Sequence, residues 1–224
     1  MNLSPVILVT GTDTGVGKTI TTAALAAALN GKERSVAVYK PCQSGAADGD
    51  SDAAEIIRLA GVPAEAGVVL QEPMAPVAAA AIDGTPLPAL AWHAGRIREL
   101  AATHDHVLVE GAGGVLVELD SDGGTLADLG SLLAAAFVVV ARPGLGTLNH
   151  TALTLEALAA RGLDVLGVVL GSWPARPDAI HHSNRQVLGS LRVPVIGALP
   201  ERASELSPAD FRDGAAAWLN GVPA

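Results

Sequence analysis

The segment Gly11-Thr12-Asp13-Thr14-Gly15-Val16-Gly17-Lys18-Thr19 lies between an apolar run, Val6-Ile7-Leu8-Val9, and the alanine-rich stretch Ile20 to Leu29. No other part of the chain constrains the fold as much. The branched run reads as a buried strand and the alanine-rich stretch as a helix, so the glycines between them make a tight strand-to-helix turn. Such a turn aims backbone N–H groups and a helix N-terminus at one point, an anion site suited to polyphosphate. Phosphates then lie against the backbone of the loop, Lys18 along the outer ones, and the Thr19 hydroxyl ligates magnesium. Five residues separate Gly11 from Gly17, one more than the common pattern carries, which marks a variant class of loop. A plain glycine turn capping a helix would leave Lys18 without a role.

A strand feeding a helix is repeated along the chain. Strand-length apolar runs fall at Val6–Thr10, Val36–Lys40, Val107–Glu110, Phe137–Ala141, Val165–Leu170 and Val195–Ala198. Helical patterns separate most of them, at Thr19–Leu29, Asp52–Ala60, Leu90–Ala102, Leu126–Leu133, Asn149–Arg161 and Ala179–Leu191, with Ala209–Leu219 closing the chain. This alternation predicts a single α/β domain over residues 1–224, a mostly parallel sheet flanked by helices, with ligands at the carboxyl ends of the strands. Gly61–Pro88 is rich in Pro, Ala and Gly without a clear period and reads as a surface excursion. Ala75 to Ala81 is low in complexity.

Hydrophobic residues make up 50% of the chain but aromatics only 3%, so the core is built from Val, Leu, Ile and Ala, which suits buried parallel strands. The longest apolar run, Leu132 to Ala141, is too short to span a bilayer, and no basic-apolar-cleavage pattern opens the chain. The expected protein is cytoplasmic. Its one cysteine, Cys42, excludes an internal disulfide and a structural zinc site. A net charge of −9 with scattered basic residues argues against nucleic acid or an anionic membrane as partner. Phosphate must be held locally. Of only three lysines, Lys18, Lys32 and Lys40, two fall in segments nominated on other grounds; Lys32 sits in a polar turn and reads as solvated surface.

Val36 to Tyr39 delivers Lys40-Pro41 to the same sheet edge as the loop. A lysine ending a buried strand either meets an anion, the γ-phosphate or a substrate carboxylate, or snorkels into solvent. The run Val107-Leu108-Val109 ends in Glu110-Gly111-Ala112-Gly113-Gly114, a carboxylate where such folds place a magnesium partner, followed by glycines that admit close backbone approach. Thr19 and Glu110 supply two oxygens, and Asp48, Asp50 or Asp52 a third, although one or more of these aspartates also suits a helix cap. Leu145 to Thr151 opens another helix, with Thr147 or Asn149 near the cap. Its free N–H groups suit a second anion or a plain capping role. Neither histidine pair, His104 with His106 or His181 with His182, has metal-ligand spacing.

With the loop, Tyr39-Lys40-Pro41-x-x-Ser44-Gly45, Ser51-Asp52-Ala53, Val109 to Gly114 and Leu145-Gly146-x-x-Asn149-His150 in order, the chain resembles the dethiobiotin synthetase family, whose fold is P-loop NTPase-like. The resemblance implies closure of a ureido ring on 7,8-diaminopelargonate with carbon dioxide and ATP, in biotin synthesis, by a homodimer. It implies phosphates held by Thr14, Gly15, Val16, Gly17, Lys18, Thr19 and Ile20, magnesium on Thr19, Asp52 and Glu110, and a catalytic Lys40 beside Lys18. It further places Thr14 and Ser44 at the diamine end of the substrate. The substrate carboxylate falls on backbone near Gly113, within the nucleotide-side stretch Gly111-Ala112-Gly113, and on Leu148–Asn149 across the dimer.

The chemistry accounts for these residue types. Carbon dioxide adds to an unprotonated amine to give a carbamate, but oxide is too poor a leaving group for the second amine to displace. Phosphoryl transfer makes a carbamic–phosphoric anhydride, and ring closure expels phosphate. Two compact cations and magnesium suit the charge that moves around the transferred group. No residue is assigned as general base. Two departures stand out: Gly15 replaces an acidic residue of some relatives, and Leu170-Gly171-Ser172-Trp173 lies where relatives often carry a purine-reading asparagine. Base selection then falls to backbone near Gly171, Ser172, Leu199, Pro200 and Glu201, and CTP or another nucleoside triphosphate can replace ATP. Two other readings share the fold. A partitioning-type ATPase switch carries an extra lysine early in the loop, where Thr12 and Asp13 stand, and an amidotransferase-type ligase needs a glutaminase cysteine or an appended domain.

Overall fold

The computed structural model describes residues 3–49, 51–219 and 221. Among these described residues, seven strands form one sheet: β1 (Val6–Gly11), β2 (Val36–Gln43), β3 (Ala64–Val69), β4 (His106–Gly114), β5 (Ala136–Ala141), β6 (Val165–Trp173) and β7 (Val195–Pro200). Their order across the sheet is β3-β2-β4-β1-β5-β6-β7, and every pairing is parallel. The helices are α1 (Lys18–Asn30), α2 (Asp52–Ala60), α3 (Pro76–Asp83), α4 (Leu90–Ala101), α5 (Leu126–Leu133), α6 (Thr147–Ala159), α7 (Ala179–Gly189) and α8 (Pro208–Trp218).

Strand alternation divides the core in two. Ile7, Val9, Leu108, Val138 and Val140 face α1, α2 and α8, while Leu8, Val107, Val109, Phe137 and Val139 face α4 to α7. Both faces of the central strands are therefore covered, as apolar runs without a polar face require. The alanines of α1 let it lie close on the sheet: Ala23, Ala24, Ala26 and Ala27 are all buried. Among the described residues, no helix is long and apolar enough to cross a membrane.

Gly61–Pro88 is more than a surface excursion, since it contains both β3 and α3. β3 is a half-exposed edge strand, so it lacks the apolar run that marks buried strands, and its Gly67 replaces a side chain that β2 would not admit. A Cβ there would lie 2.3 Å from the Tyr39 hydroxyl. α3 is short, with Pro76 in its first turn and Gly84 closing it in the left-handed conformation. The low-complexity alanines are its body, as their helix propensity allows.

Next to Gly67, the Tyr39 hydroxyl hydrogen-bonds Nδ1 of the fully buried His93 on α4 at 2.7 Å. Burial holds the His93 imidazole down to about 4 from its ordinary 6.5, a nearby Asp120 opposing only in part. Between those values the unfolded chain binds the proton that the folded one refuses. Stability is complete above the upper value and falls as the pH drops through the window, by about 3 kcal/mol in total. Denaturant titrations from pH 7 to 4 should show this loss, and His93→Gln, which keeps a partner for Tyr39 without titrating, should flatten it. Equal pH slopes for the two proteins would refute the assignment.

Candidate functional site

The sheet register builds the site. Tyr39 pairs with Val109 in the last rung that β2 and β4 share, so Lys40 and Glu110 emerge together where the two strands part, although β2 runs on to Gln43 and β4 to Gly114, past the expected ends; Val9 pairs with Glu110 near the end of β1. Lys40, 7% exposed, lies 3.0 Å from Glu110 Oε1 and forms a second ion pair with Asp52. Burial works against the Lys40 charge, but Glu110 and then Asp52 outweigh it and hold its pKa above the ordinary lysine value.

Thr19, in the first turn of α1, has its Oγ1 2.9 Å from both Asp52 Oδ1 and Glu110 Oε1. A hydroxyl has one hydrogen to give, so the two carboxylates and Thr19 present more lone pairs than the protein satisfies. Glu110 Oε2 is buried with no hydrogen-bond partner among the described residues. Three hard oxygens with spare acceptor capacity fit magnesium, which keeps waters and takes few protein ligands. Among the described residues no cluster of three His, Cys, Asp or Glu occurs, so a softer, fully protein-bound metal has no comparable site.

Asp52 is the first residue of α2, and its N–H donates to Gln43 Oε1 at 3.0 Å. Ser51, rather than an aspartate, caps that helix by accepting from the Ala54 N–H. Asp50 lies outside the described residues, as does the Asp48 side chain.

Lys18 is buried on the loop and donates to the Asp13 carbonyl at 3.1 Å. Burial lowers its pKa, the Glu110 carboxylate opposing and the Lys40 charge reinforcing the effect. Gly17 adopts φ +96° before α1, and a Cβ on it would lie 2.7 Å from the Gly171 carbonyl. The loop therefore rests on the end of β6 through glycines on both sides.

A cavity of about 620 Å³ opens over these groups. Thr14, Gly15, Gly17, Lys18, Thr19, Ile20, Lys40, Ser44, Asp52, Glu110, Ala112 and Gly113 all line it. Val16 is buried beneath the loop instead, and Gly111 packs on Leu126. The base-side candidates Gly171, Ser172, Leu199, Pro200 and Glu201 lie away from the cavity lining. Leu199 is buried, and the Glu201 N–H is taken by the Trp173 carbonyl at 2.8 Å. Leu148 and Asn149 also stand apart, exposed on the first turn of α6, whose cap is Gly146, with Thr147 beside it as the buried first residue of the helix.

Sequence reasoning missed Gln43, which seats Asp52, and the lining residues Pro73 to Pro76 and Val117. Gln43 had a signal, lying inside the Lys40-to-Gly45 block; the others had none. Cys42 also lines the cavity, but burial pushes its thiol up to about 12, so it remains a neutral side chain rather than a nucleophile.

A family model described as an AAA domain matches residues 6–208. An ATP-dependent dethiobiotin synthetase BioD of Mycobacterium avium (strain 104) is 53% identical over 207 residues, covering 92% of this chain and 91% of that protein. A protein of the same name from Mycobacterium sp. (strain JLS) is 50% identical over 227 residues, covering 97% and 99%. Among solved structures, the septum site-determining protein MinD complexed with Mg-ADP from Pyrococcus horikoshii OT3 superposes with a TM-score of 0.56 over 97% of this chain and 86% of that one. At 18% identity, that likeness establishes the shared P-loop NTPase fold alone.

Proposed function

The chain belongs to the ATP-dependent dethiobiotin synthetase family, and from that premise we propose that its cavity closes the ureido ring of dethiobiotin from 7,8-diaminopelargonate, carbon dioxide and a nucleoside triphosphate. One observation carries the reading: two lysines, two carboxylates and the Thr19 hydroxyl converge on one cavity beside a glycine loop. Near-complete coverage at about half identity favours this over a partitioning-type ATPase switch, and the neutral Cys42 disfavours an amidotransferase-type ligase.

The loop N–H groups and Lys18 bind the outer phosphates, Lys18 leaving the Asp13 carbonyl for the stronger anion. Thr14 and Ser44 orient the diamine end, while Gly113 and, in a second copy of the chain, the α6 start at Leu148 and Asn149 hold the carboxylate. The carbamate oxygen attacks the γ-phosphorus and the nucleoside diphosphate leaves. The second amine then attacks the carbonyl carbon and phosphate departs, each amine giving up a proton on the way. Lys40 stands between the carbamate and the phosphates and offsets the charge shared by attacking and leaving oxygens. Thr19, Asp52 and Glu110 would hold magnesium, which when bound would supply further charge stabilisation to the phosphates.

Phosphate release measured with Mg-ATP alone, and then with 7,8-diaminopelargonate plus bicarbonate, tests the reaction. Release should require both additions; a rate indifferent to them would point to a switch. Discrimination among nucleoside triphosphates should be weak, because Gly171 is pressed on the loop and the Glu201 N–H is already used. Competition binding should place ATP, CTP and GTP within about tenfold, the worth of one net hydrogen bond. A preference for ATP of about a hundredfold or more would count against this view of the base site.

A further inference from the structure

Arg142 immediately follows β5, the neighbour of β1, and has no part in the reaction above. It reaches back to the phosphate loop, where its Nη2 donates to Asp13 Oδ2 at 2.5 Å. Asp13 makes two further contacts. Its Oδ1 accepts the Thr14 N–H at 2.8 Å, and its carbonyl accepts Lys18 Nζ at 3.1 Å. One residue earlier, the Thr12 N–H donates to the Val140 carbonyl at 2.9 Å. Backbone and side chain therefore both fasten the loop to the end of β5.

Arg142 has a firm footing of its own. Asn184 on α7, 7% exposed, donates from Nδ2 to the carbonyls of Pro143 and Gly144, each at 2.9 Å. An amide nitrogen carries two hydrogens, so both bonds form at once. The turn after β5 is thus held from α7, and Arg142 passes that order to the loop.

Charge gives the contact a second purpose. Asp13 carries a carboxylate on the phosphate loop, one residue before Thr14 of the cavity lining, and left alone it would repel a triphosphate. Held by Arg142, its charge is offset and its two oxygens are fixed. We propose that Arg142 is a positioning residue for nucleotide binding, acting through Asp13 to set the loop and to neutralise the carboxylate that the loop itself carries. The proposal rests on the reading of this cavity as a triphosphate site. Loop shape and charge act on bound nucleotide before and during reaction alike, so their loss raises KM more than it lowers kcat. Both partners are about half exposed, and such a pair adds little to the stability of the fold.

The test uses the full chain with Mg²⁺ and compares the wild type with Arg142→Ala, Arg142→Lys and Arg142→Ala combined with Asp13→Asn. Steady-state kinetics are run beside equilibrium titration with a non-hydrolysable ATP analogue. Arg142→Ala should raise the nucleotide KM and the analogue Kd by about tenfold, with kcat within about twofold and the thermal midpoint within about 2 °C. Arg142→Lys should recover part of the loss. Adding Asp13→Asn should also recover part, because it removes the exposed charge while keeping an oxygen for the Thr14 N–H. Unchanged nucleotide affinity in Arg142→Ala would overturn the proposal, as would a further loss on adding Asp13→Asn. A wild-type protein that binds the analogue but releases no diamine-dependent phosphate would defeat the proposed reaction instead, and the titration would still judge Arg142.

Discussion

Lys40→Met should lower kcat by about three orders of magnitude, the scale on which removal of one preorganised charge-stabilising donor is felt. Lys40 is the cation nearest both carboxylates of the site, and its aliphatic replacement fills the volume without the charge. Stability should change as well. Glu110 is fully buried, and without the ammonium two carboxylates face each other across Thr19. Breaking a buried pair by removing one partner costs about 3–5 kcal/mol. The variant should therefore melt earlier in the absence of metal and regain much of the difference when magnesium is added, while turnover stays lost. Two measurements suffice: single-turnover phosphate release, and thermal melts with and without magnesium. Retention of more than about a tenth of the wild-type rate would show that Lys40 is not the charge on which the chemistry depends.

Gly171→Ala should be nearly as damaging, for a different physical reason. A Cβ at that position would lie 2.0 Å from the Val16 carbonyl and 2.8 Å from Val140 Cγ1. The first is backbone of the phosphate loop and has no rotamer by which to yield, so the loop itself must move. The expected cost is about 1–3 kcal/mol or more in stability, the range for overpacking a tight site. Nucleotide affinity should fall by about a hundredfold or more, because the N–H groups that face the phosphates move with Val16. Gly189→Ala, where nothing lies within 4 Å of the added carbon, is the matched control. Isothermal titration with a non-hydrolysable nucleotide would measure the difference. Wild-type affinity in Gly171→Ala would mean that the loop is not braced against β6.

Gly171 also shows why the base side was hard to read. The segment Leu170 to Trp173 invites an asparagine by analogy, yet the position after Leu170 is pressed on the loop and admits no side chain. That contact joins residues far apart in sequence and leaves no local pattern. The same holds for Arg142 and Asp13, and for the Pro73–Pro76 lining, each of which depends on how distant elements pack. Much else was legible, and each case has a cause. Buried parallel strands must be apolar on both faces, so β1, β4 and β5 announced themselves as continuous runs. Lys40 and Glu110 stood out because a charge at the end of such a run is costly unless it is paired. The apolar runs stop at these two residues, yet β2 continues to Gln43 and β4 to Gly114; the pairing of Tyr39 with Val109 makes them neighbours. β3 escaped notice because an edge strand need not be apolar, and α3 because two turns of alanine carry no period.

The account turns on a carbamate oxygen being phosphorylated within this cavity, and the fate of that oxygen tests it most directly. In a rapid-quench reaction with ¹⁸O-labelled bicarbonate, freshly mixed with enzyme, Mg-ATP and 7,8-diaminopelargonate before label exchanges with water, mass spectrometry of the released phosphate reads the transfer. One labelled oxygen in each phosphate is the predicted result. Phosphate free of that label, but labelled when the reaction is run in ¹⁸O-water, would mean that water attacks the γ-phosphorus and would contradict the account.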